Sequence, residues 1–270
     1  MVLFVSITLL VAGWFGWQYM SQKRTPVEPL LATYPQLLQE HVSYYKALSD
    51  DRKTVFEDRV SRFLATTTVE GVGTTINDVD KILVASSAII PIFGFDDWYY
   101  PLTNVLLYED RFNADYQTTG DDRNILGMVG EGGALQSTMV LSKPALYEGF
   151  ANDTSKENTG IHEFVHLLDK TDGATDGIPE NLLEKEHVKP WVQLIHKSIG
   201  EIKANQSDIN PYGITNEAEF FAVVSEYFFK RPDLLEKNHP ELFARLEEIF
   251  RQNPAEMDKS VDSSAPETGS

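Results

Sequence analysis

None of the 270 residues is a cysteine. That excludes disulfides and thiolate metal sites, so any metal has to be held by histidine, aspartate or glutamate. Positive charge is also scarce, with 23 Lys and Arg against 41 Asp and Glu and a formal net charge of −18. A field of that sign repels phosphate backbones and argues against nucleic acid as a partner. No phosphate-cradling G-x-G-x-x-G is present: Gly130, Gly132 and Gly133 have the wrong spacing and open no evident helix, so they read as a turn. Histidine is rare as well, at six, yet two of the six stand four residues apart.

Hydrophobic residues make up 42% of the chain, which places it among globular proteins. Its length suits one domain with a sizeable core. From Val2 to Met20 there is no charge, over about the length a helix needs to cross hydrocarbon. No Lys or Arg precedes this run, as a cleavable signal peptide would require, whereas Lys23 and Arg24 follow it and Trp14, Trp17 and Tyr19 cluster at that end. Residues 1–24 therefore read as a membrane anchor, a single N-terminal transmembrane helix. The charge bias puts the following domain, residues 25–250, on the cytoplasmic side, the alternative being export. Residues 251–270 are polar and rich in Pro and Ser and read as a disordered tail.

Within the domain, apolar residues fall at helical spacing between Leu30 and Leu48, from Asp50 to Thr67, and from Val79 to Ile90. "NVLLYED" (Asn104 to Asp110) and "STMVLSK" (Ser137 to Lys143) are short apolar runs bounded by turn formers, with the glycine-rich "GMVGEGGAL" between them. They predict two or three strands of a small sheet. From Thr154 to Phe250 the period is helical again, so the fold class is α+β, mostly helical with a small sheet. The aromatic loop "DDWYYPL" (Asp96 to Leu102) reads as packing.

The stretch "TGIHEFVHLLDKTDG" (Thr159 to Gly173) places His162, His166 and Asp169 on one helical face beside an apolar stripe of Ile161, Phe164, Val165 and Leu168. His162-Glu163-x-x-His166 is the H-E-x-x-H pattern, with two nitrogen ligands one turn apart and a carboxylate beside them to take a proton. A third ligand is required, and three residues compete for it. Asp172 has metzincin-like spacing but follows Asp169 where that pattern turns on glycine. Asp169 is better suited to accept a bond from an imidazole. Glu219 lies on a later apolar helix within "NPYGITNEAEFFAVVSEYFF" (Asn210 to Phe229), seven residues before Glu226 on the same face. Glu219 also suits a capping box with Asn216.

Taken together, "NTGIHEFVHLLDKTDGATDGIP" and "YGITNEAEFFAVVSEYFF", with "MVLSKPALYEG" upstream, resemble the Mlc titration factor A family of zinc peptidases, whose catalytic domain is zincin-like and related to that of anthrax lethal factor. The resemblance spans about Tyr34 to Phe250. It implies a zincin-like peptidase domain acting on a peptide or protein substrate, with Zn²⁺ held by His162, His166 and Glu219. It implies Glu163 as general base, Tyr212 as the phenol stabilising the oxyanion, and Asp169 and Glu226 in supporting positions. The competing reading is a membrane-tethered module that contains zinc and captures a protein partner without cleaving it.

Overall fold

A computed structural model describes residues 30–98, 100–113, 117, 125–129 and 137–257. The expected membrane segment Val2–Met20 and residues 258–270 of the expected tail lie outside them, as do Gly130, Gly132 and Gly133. Among the described residues no helix is long and apolar enough to cross a membrane.

Three helices come first: α1 (Tyr34–His41), the single turn α2 (Ser43–Lys46) and α3 (Asp50–Thr66). The single helix expected between Leu30 and Leu48 is thus broken, at the extended residue Val42 (φ −120°, ψ 97°). After β1 (Thr68–Val72) comes α4 (Asp78–Ile92), opened by a reciprocal capping box between Asn77 and Asp80 and buried from Ile82 onward. Then follow β2 (Asn104–Tyr108), β3 (Gly127–Val129), β4 (Thr138–Ser142), α5 (Lys143–Ala151), α6 (Thr159–Asp169), α7 (Lys185–Lys203), α8 (Glu217–Lys230), α9 (Pro232–Asn238) and α10 (Pro240–Phe250). The architecture is α+β.

The sheet has four strands in the order β1-β2-β4-β3, the first three parallel and β3 antiparallel to β4. Every residue of β4 is buried, as expected of a strand covered on both faces, while β2 alternates with Val105 and Leu107 inward. Sequence reading missed β1 and α5. The segment Thr68–Val72 is only partly buried and owes its strand to pairing with Asn104–Tyr108, a contact no local pattern announces. In α5 the start signals are present: the Ser142 side chain accepts from Ala145 N–H and Pro144 sits in the first turn.

The histidine helix α6 lies where sheet and helices meet, packed on α4, β3 and β4 and along α8. Its Phe164 ring stands 5.0 Å from Tyr100 and 5.8 Å from Phe63, so the aromatic loop does pack. Beyond it Phe221, Phe228 and Phe250 stack in a second layer, at 6.0 Å and 5.7 Å. Packing continues past Phe250, into the first residues of the segment expected to be a tail. Gln252 and Ala255 are buried, and the Gln252 amide donates to the Ile90 carbonyl at 2.9 Å.

The approach of α6 to α4 requires glycine at position 160, where a Cβ would lie 2.1 Å from Ser87 Oγ. Ser87 is buried and its hydroxyl already donates to Leu83 O at 2.9 Å, so it has little room to yield. Gly160→Ala should therefore destabilise the domain by about 1–3 kcal/mol, overpacking outweighing the gain in helix propensity. Thermal unfolding should show a lower Tm, and an unchanged or raised Tm would mean that α4 and α6 stand further apart.

Candidate metal centre

Two short-range signals fix where α6 and α8 begin. The Asn158 side chain accepts from Ile161 N–H at 3.0 Å, and the Asn216 side chain from Glu219 N–H at 2.8 Å. Each cap leaves the polar residues just beyond it in the first turns, facing across the α6–α8 contact. The face of α8 that carries Glu219 and Glu226 meets the face of α6 that carries His162.

There His162 Nε2 lies 3.0 Å from Glu219 Oε2 and 3.1 Å from His166 Nε2, and His166 Nε2 lies 3.6 Å from Glu219 Oε2. Imidazole and carboxylate donors at bonds of about 2.0–2.1 Å around a tetrahedral ion are separated by about 3.3 Å. The three donor–donor distances bracket that value. The donor set, two imidazoles and one carboxylate with no thiolate, fits a borderline divalent cation. His162, His166 and Glu219 thus form a group that could hold a metal. Glu184, Glu186 and His187 form another such group among the described residues, but both glutamates are exposed.

On its other side the His162 ring is held by Glu226, whose Oε1 takes the Nδ1–H at 2.7 Å while Oε2 accepts from Asn158 N–H. One carboxylate thereby fixes the tautomer of His162 and ties it to the cap of its own helix. This is the support that metal-binding imidazoles require. Asp169 is fully buried, with Oδ2 accepting from Gly177 N–H at 2.8 Å and no hydrogen bond recorded to Oδ1 or to His166 Nδ1. Asp169 therefore braces the loop after α6, and the charge of His166 is among those that act on its carboxyl. Asp172 is set aside too: its carboxylate accepts from Ala174 N–H and Glu180 N–H.

Glu163 is 6% exposed and lies against β3, where a Cβ on Gly127 would come within 2.5 Å of its Cγ and Oε1. Only glycine fits there. Burial pushes the Glu163 carboxyl up, while the His162 and His166 rings pull it back. Burial disfavours the charged His162 ring, but Glu226 and Glu219 outweigh it and raise the imidazole well above its ordinary value. For Glu219, burial raises the carboxyl and the bonds to both rings win, taking it down to about 2. Tyr212 lies on a 3₁₀ turn, Pro211–Ile214, and is 55% exposed, its ring 6.1 Å from that of His162. Burial, then the charges of Glu219, Glu163 and Glu226, raise its phenol, so that it stays a hydrogen-bond donor at neutral pH.

All five residues singled out in the sequence, His162, Glu163, His166, Tyr212 and Glu219, come to one locus. Two positions that matter to it were missed. Asn158 is visible in retrospect as an N-cap before an apolar run. Gly127 had no local signal beyond its place in a glycine-rich stretch.

The profile of the family described as glucose-regulated metallo-peptidase M90 matches residues 17–251. An uncharacterized protein of Synechocystis is 24% identical over 265 residues, covering 94% of this chain and 96% of that protein. The Mlc titration factor A of Pectobacterium atrosepticum is 30% identical over 171 residues, covering 58% of this chain and 62% of that protein. That of Salmonella arizonae is 28% identical over 200 residues, covering 68% and 76%.

The Glu226 bridge makes a test of the site that does not involve catalysis. Glu226→Gln keeps the shape but weakens the charge-assisted bond to Nδ1–H, and metal affinity should fall about 10–100-fold. Competition against a chelating dye would measure it, and unchanged affinity would show that Glu226 does not support the ring.

Proposed function

Because the chain belongs to the glucose-regulated metallo-peptidase family M90, we propose that it is a zinc-dependent peptidase hydrolysing peptide bonds at the His162, His166 and Glu219 site. The observation that carries the reading is the convergence of three metal donors on one point, with the buried Glu163 beside them. Zinc bound there would supply a water acidic enough to lose its proton near neutral pH and would polarise the substrate carbonyl.

The rest falls to the chain's own side chains. Glu163, with its pKa raised by burial, takes the proton from the attacking water and passes it to the leaving amine. Tyr212, protonated and at the exposed mouth, donates a hydrogen bond to the carbonyl oxygen as negative charge develops on it. Glu226 holds His162 in the tautomer that presents Nε2, the nitrogen nearest Glu219 and His166. We further propose that the apolar segment Val2–Met20 tethers this domain to a membrane, on its cytoplasmic side by the charges of Lys23 and Arg24.

The name of the relatives, a titration factor for Mlc, favours a second reading in which the chain captures a protein partner without cutting it. Glu163 speaks against it, since a purely structural metal site needs no base beside its ligands. Chelator-sensitive cleavage of casein separates the two: cleavage abolished by chelation and restored by zinc supports the peptidase, and its complete absence supports capture.

Glu163→Gln should retain stoichiometric zinc and lose turnover by about 10²–10⁴-fold, whereas Glu219→Ala should lose most of its zinc. Full metal content in Glu219→Ala, or undiminished turnover in Glu163→Gln, would remove the respective assignment. Tyr212→Phe should lower kcat about 10²-fold with zinc content unaltered; an unaltered kcat would return Tyr212 to a packing role.

A further inference from the structure

Behind the metal helix, away from Tyr212, lies a cavity of about 480 Å³ between α2, the start of α6, the end of α8 and the turn at residues 254–257. Its apolar wall comes from Phe150, Ile161, Phe229, Pro254 and Met257. Its polar side carries the half-buried Lys230. Lys230 gives one hydrogen bond, to Gly149 O at 2.7 Å, and makes no ion pair among the described residues. Two of its three N–H groups thus remain for a ligand. The neighbouring Arg231 is differently placed, since Asp233 grips it at 3.0 and 2.9 Å. Its volume suits a small molecule, and its lining sets these apolar side chains against the charged Lys46, Asp153, Lys230, Arg231 and Asp233.

We propose that this cavity binds a small carboxylate with an apolar body, and that its occupancy is felt at His162 through Asn158 and Glu226. The charge selects the ligand class. Lys46, Lys230 and Arg231 against Asp153 and Asp233 leave one net positive charge on the lining, which matches one negative charge better than a dianion such as a phosphate monoester. The connection to the metal centre is a run of direct contacts. Lys230 Nζ and Asn158 Nδ2 both donate to Gly149 O, at 2.7 and 3.2 Å. Asn158 N–H donates to Glu226 Oε2, and Glu226 Oε1 holds His162 Nδ1 at 2.7 Å. The approach is close enough that a Cβ on Gly149 would fall 2.8 Å from Asn158 Cγ. A carboxylate that draws the ammonium towards itself changes the load on Gly149 O, and Asn158 lines the cavity as well as capping α6.

The test needs no turnover, so its failure would leave the peptidase reading untouched. The full chain is titrated calorimetrically with 3-phenylpropionate, and with the neutral 3-phenylpropanamide as control. A fragment of about a dozen non-hydrogen atoms should bind with a Kd of about 1 mM. The amide should bind at least about tenfold more weakly, as should Lys230→Met offered the carboxylate, the ammonium being the group that recognises it. Ala47→Trp, which fills the cavity from the turn after α2, should abolish binding whether or not Lys230→Met folds. In protein labelled at its six histidines, the His162 ring resonances should shift on saturation. Equal binding of acid and amide, unaltered binding by folded Lys230→Met or Ala47→Trp, or no saturable binding would overturn the site. Saturation with no change at His162 would overturn the coupling.

Discussion

The opposition of His162 to two carboxylates across the α6–α8 contact governs the rest of the structure. Glu219 meets one ring nitrogen and Glu226 the other, and all three side chains are largely withdrawn from water. Taken singly, each carboxylate would be expensive to bury between two apolar helices. Together with Glu163 they create a locus rich in negative charge, which raises the His162 imidazole against the cost of burial, whereas the Glu163 carboxyl is raised by burial itself against the pull of both rings. The His162 shift means that the site favours bound positive charge. A divalent cation held by the Nε2 atoms and Glu219 answers that demand more completely than a proton on one ring, which is why the donor geometry and the electrostatics agree.

Much of this was readable in the chain because it is local. The i, i+4 spacing of His162 and His166 sets their separation on any helix, and the apolar stripe beside them says which side is buried. Which carboxylate joins the two histidines in the group that could hold a metal was not readable from period alone. Glu219 and Glu226 share a face, and both do contact His162; they differ in which ring nitrogen each meets, and that depends on how the imidazole is turned, a property of tertiary packing. The resemblance to a known family pointed to Glu219, the carboxylate found nearest both Nε2 atoms. Conversely, Asp169 shares the face of the histidines, yet its Oδ2 accepts from Gly177 N–H, because the loop after α6 has a backbone donor to satisfy. The strand β1 and the place of Gly127 were hidden for the same reason: each depends on a partner distant in sequence.

Two asparagines carry more of the design than their anonymity suggests. Asn158 and Asn216 cap the helices that bring ligands together, and each sets the rotational phase of its helix within one turn of the functional residues. Glu219, at the third position of α8, was as well suited to a capping box as to a metal site. The structure divides the roles: Asn216 caps through its side chain, and the Glu219 carboxylate turns to the two imidazoles instead of back to the cap. At a helix N-terminus its negative charge is favoured by the helix dipole as well as by the rings. A carboxylate so placed is held as an anion, consistent with the depression of Glu219 to about 2.

The sheet contributes at one point, and that point explains a peculiarity of composition. Strand β3 is short, antiparallel to its neighbour and, among the described residues, at the sheet edge. Its Gly127 lies against the Glu163 side chain so closely that any Cβ would overlap it. Glu163 is thereby enclosed between a backbone and two imidazoles, and enclosure is the first cause of its raised pKa. A larger residue at 127 would have to displace either the strand or the carboxylate. Displacing the strand would open Glu163 to water and return its carboxyl towards the ordinary range; displacing the carboxylate would move it from the rings. Gly127, one of several glycines in its stretch of sequence, is therefore a steric condition on the enclosure of Glu163.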